Sequence, residues 1–211
     1  PVVGKLVPRV RDTAKILYII YLVLTALMVV LLRCGGMSMY DSLVHAFGTA
    51  GTGGFGVYRN SLAGFSPYIQ WVVTIFMLLF GINFNLYYLI LVRHFRAAIR
   101  SRELWVYLGL VLASSGLIAW NIRALYSTVG ETVRQALFQV SSIITTTGYA
   151  TADFNRWPGL SKAVLLLLMF VGGCAGSTAG GLKVSRVQLL VASARRDLQR
   201  ALHPRSVATV R

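Results

Sequence analysis

Two short stretches carry the residue types that can strip water from a cation. HAFGTAGTGGFG (His45–Gly56) and QVSSIITTTGYA (Gln139–Ala150) align at a shift of 94 residues. The shift places Thr52 on Thr146, Gly53 on Thr147, Gly54 on Gly148 and Phe55 on Tyr149. A dehydrated cation needs several oxygens in place of its water shell, and rings of backbone carbonyls supply them. A backbone that turns its carbonyls toward an axis is extended and sterically strained. Gly54 and Gly148 permit that path because glycine accepts positive φ. Thr52, Thr146 and Thr147 add side-chain or carbonyl oxygens, and the bulky Phe55 and Tyr149 are expected to pack behind the turns. The competing reading is a pair of glycine-rich connections between membrane helices that bind nothing.

A third stretch, GGCAGSTAGG (Gly172–Gly181), holds five glycines with Ser177 and Thr178 in ten residues. Each glycine disfavours a helix by roughly 1 kcal/mol. The stretch is expected to break its helix beside an aqueous cavity; close packing of small residues between helices is the alternative.

The elements that must position these stretches follow from apolar periodicity. Four runs are long enough for a bilayer core, which needs ~20 residues per spanning helix. They are Ala14–Leu32, Pro67–Val92, Leu104–Trp120, and Ala163–Val191 with the glycine-rich break at its centre. Tyr18, Tyr68, Trp71, Trp105, Trp120 and Trp157 lie near run ends, as interfacial aromatic belts require. Two shorter stretches, Met39–Ala50 and Glu131–Thr145, are too short to span. Ser38 with Asp41, and Thr128 with Glu131, form capping-box patterns that open them. Each short helix precedes a Gly/Thr turn and then a long apolar helix, the pattern of a re-entrant segment that must be buried in protein or line water. The chain therefore reads as an all-α integral membrane protein of two tandem helix–re-entrant helix–helix units, residues 1–102 and 103–211. A shift of about 92 also places Gly81 on Gly173 in the following helices. Paired repeats of this kind surround midplane sites in channels and transporters.

Composition and charge agree. The 211 residues are 56% hydrophobic and only 13% charged, with a mean hydropathy of +0.66 and a net charge of +15. A soluble domain would carry about a quarter charged residues. So basic a soluble chain would suggest nucleic acid, yet position explains the excess. The clusters Lys5–Lys15, Arg93–Arg102 and Lys183–Arg211 put 15 basic residues on one side of this topology and leave 6 on the other. The positive-inside rule makes the richer side cytoplasmic, so no nucleic-acid partner is expected. Cys34 and Cys174 lie in or beside apolar runs without metal-pair spacing and read as small buried apolar residues. The chain begins at Pro1, and we read it as part of a longer protein.

The six acidic residues are scattered near run boundaries. No carboxylate pair, triad or metal cluster stands out, which disfavours an intramembrane enzyme. His45, His94 and His203 show no ligand spacing, and His45 reads as structural. Asn83 and Asn85 either line a cavity or bond between helices; Lys183 and Arg186 read as ordinary positive-inside residues, contact with anionic lipid or a cytosolic partner being the alternative.

With these residues assembled, the chain resembles the Trk/Ktr/HKT superfamily of potassium transporters, specifically its Trk-type membrane subunits. HAFGTAGTGGFG, FQVSSIITTTGYATADFNRWP, and FVGGCAGSTAGGLKVSR followed by LHPRSV carry the resemblance over nearly the whole chain. Members place four helix–pore helix–helix repeats about a pseudo-fourfold axis, and this chain matches the second and third. The resemblance implies a selectivity filter at Thr52, Gly53, Gly54, Phe55, Thr146, Thr147, Gly148 and Tyr149. It implies K⁺ at oxygens of Thr52, Gly53, Thr146 and Thr147, the third-position glycines favouring K⁺ over Na⁺. It also implies a gate in the loop Gly172, Gly173, Cys174, Ala175, Gly176, Ser177, Thr178, Ala179, Gly180 and Gly181. The implied whole is a multi-pass protein of the plasma membrane, homodimeric, seated on a cytosolic nucleotide-binding regulatory subunit. It would need no covalent cofactor, with K⁺ as the transported ion. A structural subunit with degenerate, non-conducting turns is the alternative.

Overall fold

A computed structural model describes residues 3–202, with side chains from Arg11 onward except at 200 and 201. The HPRSV part of the last motif, His203, Arg205 and Arg211 lie outside the described residues, as do the side chains of Lys5, Arg9 and Arg200. The described residues form α1 (Val3–Cys34), α2 (Met39–Ala50), α3 (Pro67–Phe80), α4 (Phe84–Leu91), α5 (Phe95–Ile99), α6 (Arg102–Ile122), α7 (Val129–Ile144), α8 (Gly159–Val171) and α9 (Val184–Leu202). A short 3-10 turn, Phe154–Arg156, precedes α8, and no strand occurs among the described residues.

The polarity of the helices is inverted relative to a water-soluble domain. Residues 11–34 of α1 and all of α6 are long and apolar enough to cross a bilayer. Ile19, Leu22, Val23, Leu27 and Val30 of α1 are exposed, as are Leu112, Leu117 and Trp120 of α6. The short helices do the opposite. α2 buries Ser42, His45 and Thr49, and α7 buries Gln139, Ser141 and Ser142. Apolar side chains outward and polar ones inward is what lipid requires, because hydrocarbon satisfies no polar group. Thr49 and Ser141 bond back to their own helices, Thr49 Oγ1 to the His45 carbonyl at 2.7 Å, whereas the Ser142 hydroxyl donates to the Tyr149 carbonyl at 2.6 Å.

Both short helices begin where their caps lie. The Ser38 hydroxyl accepts the Asp41 N–H at 3.0 Å, and the Thr128 hydroxyl accepts that of Glu131 at 3.3 Å. The Asp41 carboxylate accepts the Ser38 hydroxyl at 2.8 Å and the Tyr58 phenol at 3.2 Å. The hydrogen bond to that carboxylate raises the exposed Tyr58 phenol above its ordinary pKa.

Two apolar clusters hold the units. One joins Met28 and Leu32 of α1, Ala46 and Ala50 of α2, and Val73, Phe76, Met77 and Phe80 of α3. The other joins Tyr107, Val111, Ile118 and Ile122 of α6 to Ala136, Val140 and Ile144 of α7 and to Leu165 and Leu168 of α8. Phe138 and Tyr149, from α7 and the turn after it, lie in the first cluster and tie the halves together.

Three expectations are corrected. The run Pro67–Val92 is not one spanning helix: α3 and α4 are bent by 88° across residues 81–83. The cause is a docked segment. The Gly81 carbonyl accepts the Cys174 N–H at 3.0 Å, and the Phe84 N–H donates to the Gly176 carbonyl at 3.0 Å. Cys34, the last residue of α1, is exposed rather than buried; Cys174 is fully buried. Trp157 is buried, not interfacial, its indole N–H donating to the Tyr126 hydroxyl at 3.3 Å within the second cluster.

Candidate functional site

α2 and α7 each deliver their C-terminal end to one of the Thr/Gly turns. A helix C-terminus carries partial negative charge, which favours a cation beyond it. The two turns share one backbone. Thr52 and Thr146 sit at φ 49° and 57°, and Gly54 and Gly148 at 65° and 89°. Their hydrogen bonds repeat at the same shift of 94 residues. Gly53 and Gly54 both donate to the Gly48 carbonyl, at 2.8 and 3.2 Å. Thr147 and Gly148 both donate to that of Ser142, at 2.9 and 3.3 Å. Non-glycine residues rarely occupy positive φ, so two threonines held there at aligned positions mark a backbone that its surroundings impose.

With the N–H groups turned back toward the helices, the carbonyls are free. Among the described residues no donor reaches the carbonyl oxygens of Thr52, Gly53, Gly54, Thr146, Thr147 or Gly148. Six oxygens on two adjacent turns form an acceptor-rich, donor-poor wall. The turns touch: a Cβ on Gly54 would fall on the Thr147 carbonyl oxygen and lie 2.9 Å from its carbon. At Gly148 a Cβ would meet nothing within 4 Å. Only a residue lacking Cβ fits position 54 without displacing Thr147.

The two aromatic residues part company. Tyr149 is buried behind the turns, its hydroxyl donating to the Phe55 carbonyl at 3.0 Å and lying 3.4 Å from that of His45. The imidazole of His45 packs on it, with ring centroids 5.7 Å apart, and sits against Phe65 on another side. Its Nδ1 lies 2.8 Å from the Asp41 carbonyl, so His45 braces the turn. Phe55, expected to pack in the same way, is 77% exposed. The socket filled by Tyr149 is built from the unit before it, and the described residues contain no such unit before Phe55.

Gly172–Gly181 fills the gap between α8 and α9. Gly172, Gly176 and Gly181 have φ of 75°, 70° and 80°. The loop is pinched at its neck, where a Cβ on Gly172 would strike the Gly180 carbonyl. One side of the loop rests on the α3–α4 break: besides the two bonds given above, the Thr178 N–H and hydroxyl reach the Phe80 carbonyl at 3.3 and 3.2 Å. Another side meets the turns. The Thr52 hydroxyl lies 3.0 Å from the Thr178 carbonyl, and the Gly180 N–H donates to the Thr146 hydroxyl at 2.7 Å. The structure thus brings Thr52, Thr146 and the loop into one assembly. Asn83 caps α4 by accepting the Asn85 N–H at 2.9 Å, whereas the Asn85 side chain is exposed.

Sequence reasoning missed Glu103 at the loop and read Lys183 as an ordinary positive-inside residue. The Ala175 N–H donates to the Glu103 carboxylate at 2.6 Å, and the Lys183 ammonium donates to the Ala179 carbonyl. A single carboxylate at the start of an apolar run was the only available signal. No group of His, Cys, Asp and Glu suited to a transition-metal or calcium site occurs among the described residues.

Comparison with known proteins adds an independent line. A family model described as TrkH, "Cation transport protein", matches residues 2–113 and 123–211. The chain is 37% identical to the Trk system potassium uptake protein TrkH of Escherichia coli K12, over 99% of this chain and 44% of that protein. It is 34% identical to the Trk system potassium uptake protein TrkG of the same strain, over 98% of this chain and 43% of that one. The crystal structure of the potassium transporter TrkH from Vibrio parahaemolyticus superposes with a TM-score of 0.91 at 34% identity, covering 97% of this chain and 45% of that one. The chain spans less than half the length of these relatives.

Proposed function

The chain belongs to the TrkH family of cation transport proteins, and on that premise we propose that it supplies two of the four walls of a potassium-conducting pore in a membrane protein. Residues 1–102 and 103–211 are the second and third of four repeats. Thr52–Phe55 and Thr146–Tyr149 are their filter segments, with K⁺ at oxygens of Thr52, Gly53, Thr146 and Thr147. The observation that carries this reading is the pair of turns with equivalent backbone and six unpartnered carbonyls. The names of the relatives, potassium uptake proteins, support K⁺ as the ion. Gly172–Gly181 is the gate. It lies against both filter threonines, so in this position it obstructs the path below the filter, and an ion passes when it withdraws. No covalent cofactor enters the mechanism: the ion is stabilised by backbone dipoles and helix C-termini. The intact protein is a homodimer in the plasma membrane, and its basic inner face receives a cytosolic nucleotide-binding regulatory subunit.

The test is K⁺-limited growth and ⁸⁶Rb⁺ uptake by transport-deficient cells expressing the full-length protein. Replacing Gly148 by Ser adds an oxygen at the filter turn, where no atom of the described residues crowds a Cβ, and is expected to lower the preference for K⁺ over Na⁺. An unchanged preference in both Gly148→Ser and Gly54→Ser would overturn the filter assignment. Deletion of 173–180 is expected to raise leak through the pore, and unaltered flux would remove the gate.

A further inference from the structure

Glu103 and Ala175 are 72 residues apart in the chain, yet their 2.6 Å contact is among the shortest that the loop makes. Four other bonds that seat the loop pair neutral groups: Cys174 N–H to Gly81, Phe84 N–H to Gly176, Thr178 N–H to Phe80 and Gly180 N–H to Thr146. Glu103 is the only carboxylate bound to the loop among the described residues. Bonds to an ionised acceptor are roughly twice as strong as neutral ones. The surroundings leave this carboxylate to that task. The ion pair found among the described residues joins Arg156 to Asp153, so Glu103 has no cationic side chain within salt-bridge reach there. It occupies the first turn of α6 behind the Ser101 cap, where the helix N-terminus favours negative charge. α6 is anchored in turn by the buried Tyr107, whose hydroxyl donates to the Leu78 carbonyl of α3 at 3.3 Å. The loop is thus fastened from the filter side by hydroxyls and from the opposite side by a fixed negative charge, with the Lys183 ammonium on the Ala179 carbonyl at its far end.

We propose that Glu103 is a positioning residue of the gate: its carboxylate holds the loop against the filter through the Ala175 N–H, and the loop withdraws when that bond is released. This rests on the reading of Gly172–Gly181 as the gate. It adds a residue outside the loop that sets how often the loop leaves.

The loop carries its own reporter. Cys174, adjacent to Ala175, is fully buried, whereas Cys34 is exposed and distant. In the full-length protein reconstituted in liposomes, N-ethylmaleimide labelling of the Cys174 and Cys34 peptides would be followed by mass spectrometry beside ⁸⁶Rb⁺ flux. Glu103→Ala is expected to speed Cys174 labelling about tenfold, the scale of one charge-assisted bond, and to raise flux with it. Glu103→Gln keeps an acceptor oxygen without the charge and should fall between Ala and wild type. The Cys34 rate should be equal in all three. Wild-type Cys174 labelling in both variants, each eluting as the native assembly, overturns the proposal and leaves the gate reading intact. Faster Cys174 labelling with wild-type flux instead overturns the gate reading, while the hold of Glu103 on the loop survives. Raised flux without faster labelling overturns the proposal as well.

Discussion

Gly54 and Gly148 are equivalent in sequence and in backbone, but the structure of this chain makes them unequal to mutation. An alanine at either position must adopt positive φ, at Gly54 65° and at Gly148 89°. That strain costs about 1–2 kcal/mol. At Gly148 the described residues add nothing further, because none of their atoms lies within 4 Å of a Cβ there. At Gly54 the same methyl falls on the Thr147 carbonyl oxygen. Backbone cannot rotate away as a side chain would, and overpacking of this kind adds typically ~1–3 kcal/mol. Gly54→Ala should therefore destabilise by about 2–5 kcal/mol against about 1–2 for Gly148→Ala. The assay is thermal unfolding of the purified 211-residue chain, together with ⁸⁶Rb⁺ and ²²Na⁺ uptake by the full-length protein in liposomes. Gly54→Ala is expected to lower folded yield and midpoint strongly. Gly148→Ala should fold close to normally, with its effect confined to uptake and ion preference. Equal losses of stability, or a larger loss at Gly148, would show that the two turns do not meet through the Thr147 carbonyl.

Two further perturbations follow from single contacts. Tyr149→Phe removes the donor that holds the Phe55 carbonyl at 3.0 Å; a lost buried bond costs about 1–3 kcal/mol. Ion preference measured as the Rb⁺/Na⁺ uptake ratio should fall while expression is retained. Thr146→Val leaves the Gly180 N–H without its 2.7 Å acceptor and should raise leak in flux assays, whereas Thr146→Ser should restore the wild-type rate.

Legibility in the sequence depended on how local the cause was. α2 occupies Met39–Ala50, as its pattern indicates, because the Ser38 cap and the glycine after Ala50 act within a few residues of the helix ends. The all-helical, membrane-suited character was equally legible, since it follows from apolar runs and the inward turn of the polar residues. The break at residues 81–83 was not. Gly81 and Asn83 could be seen in the middle of a run, but the bend depends on the Cys174 N–H and Gly176 carbonyl, more than ninety residues away. Glu103 escaped for the same reason: its partner is a backbone N–H, which no residue type announces. Phe55 and Tyr149 are alike in type and register, and only the neighbouring unit decides which of them is buried.

The socket of Tyr149 also has a direction. Its walls, His45 and the Phe55 carbonyl, both leave the ribosome before the tyrosine does. Each aromatic plug that seats in the preceding unit finds its receptor already synthesised, so a chain of such units assembles in the order of translation, each docking on a finished neighbour. Circular permutation that places α6–α9 ahead of α1–α5 reverses that order for Tyr149: the tyrosine then emerges before its socket and must wait, exposed, for the partner it normally inherits.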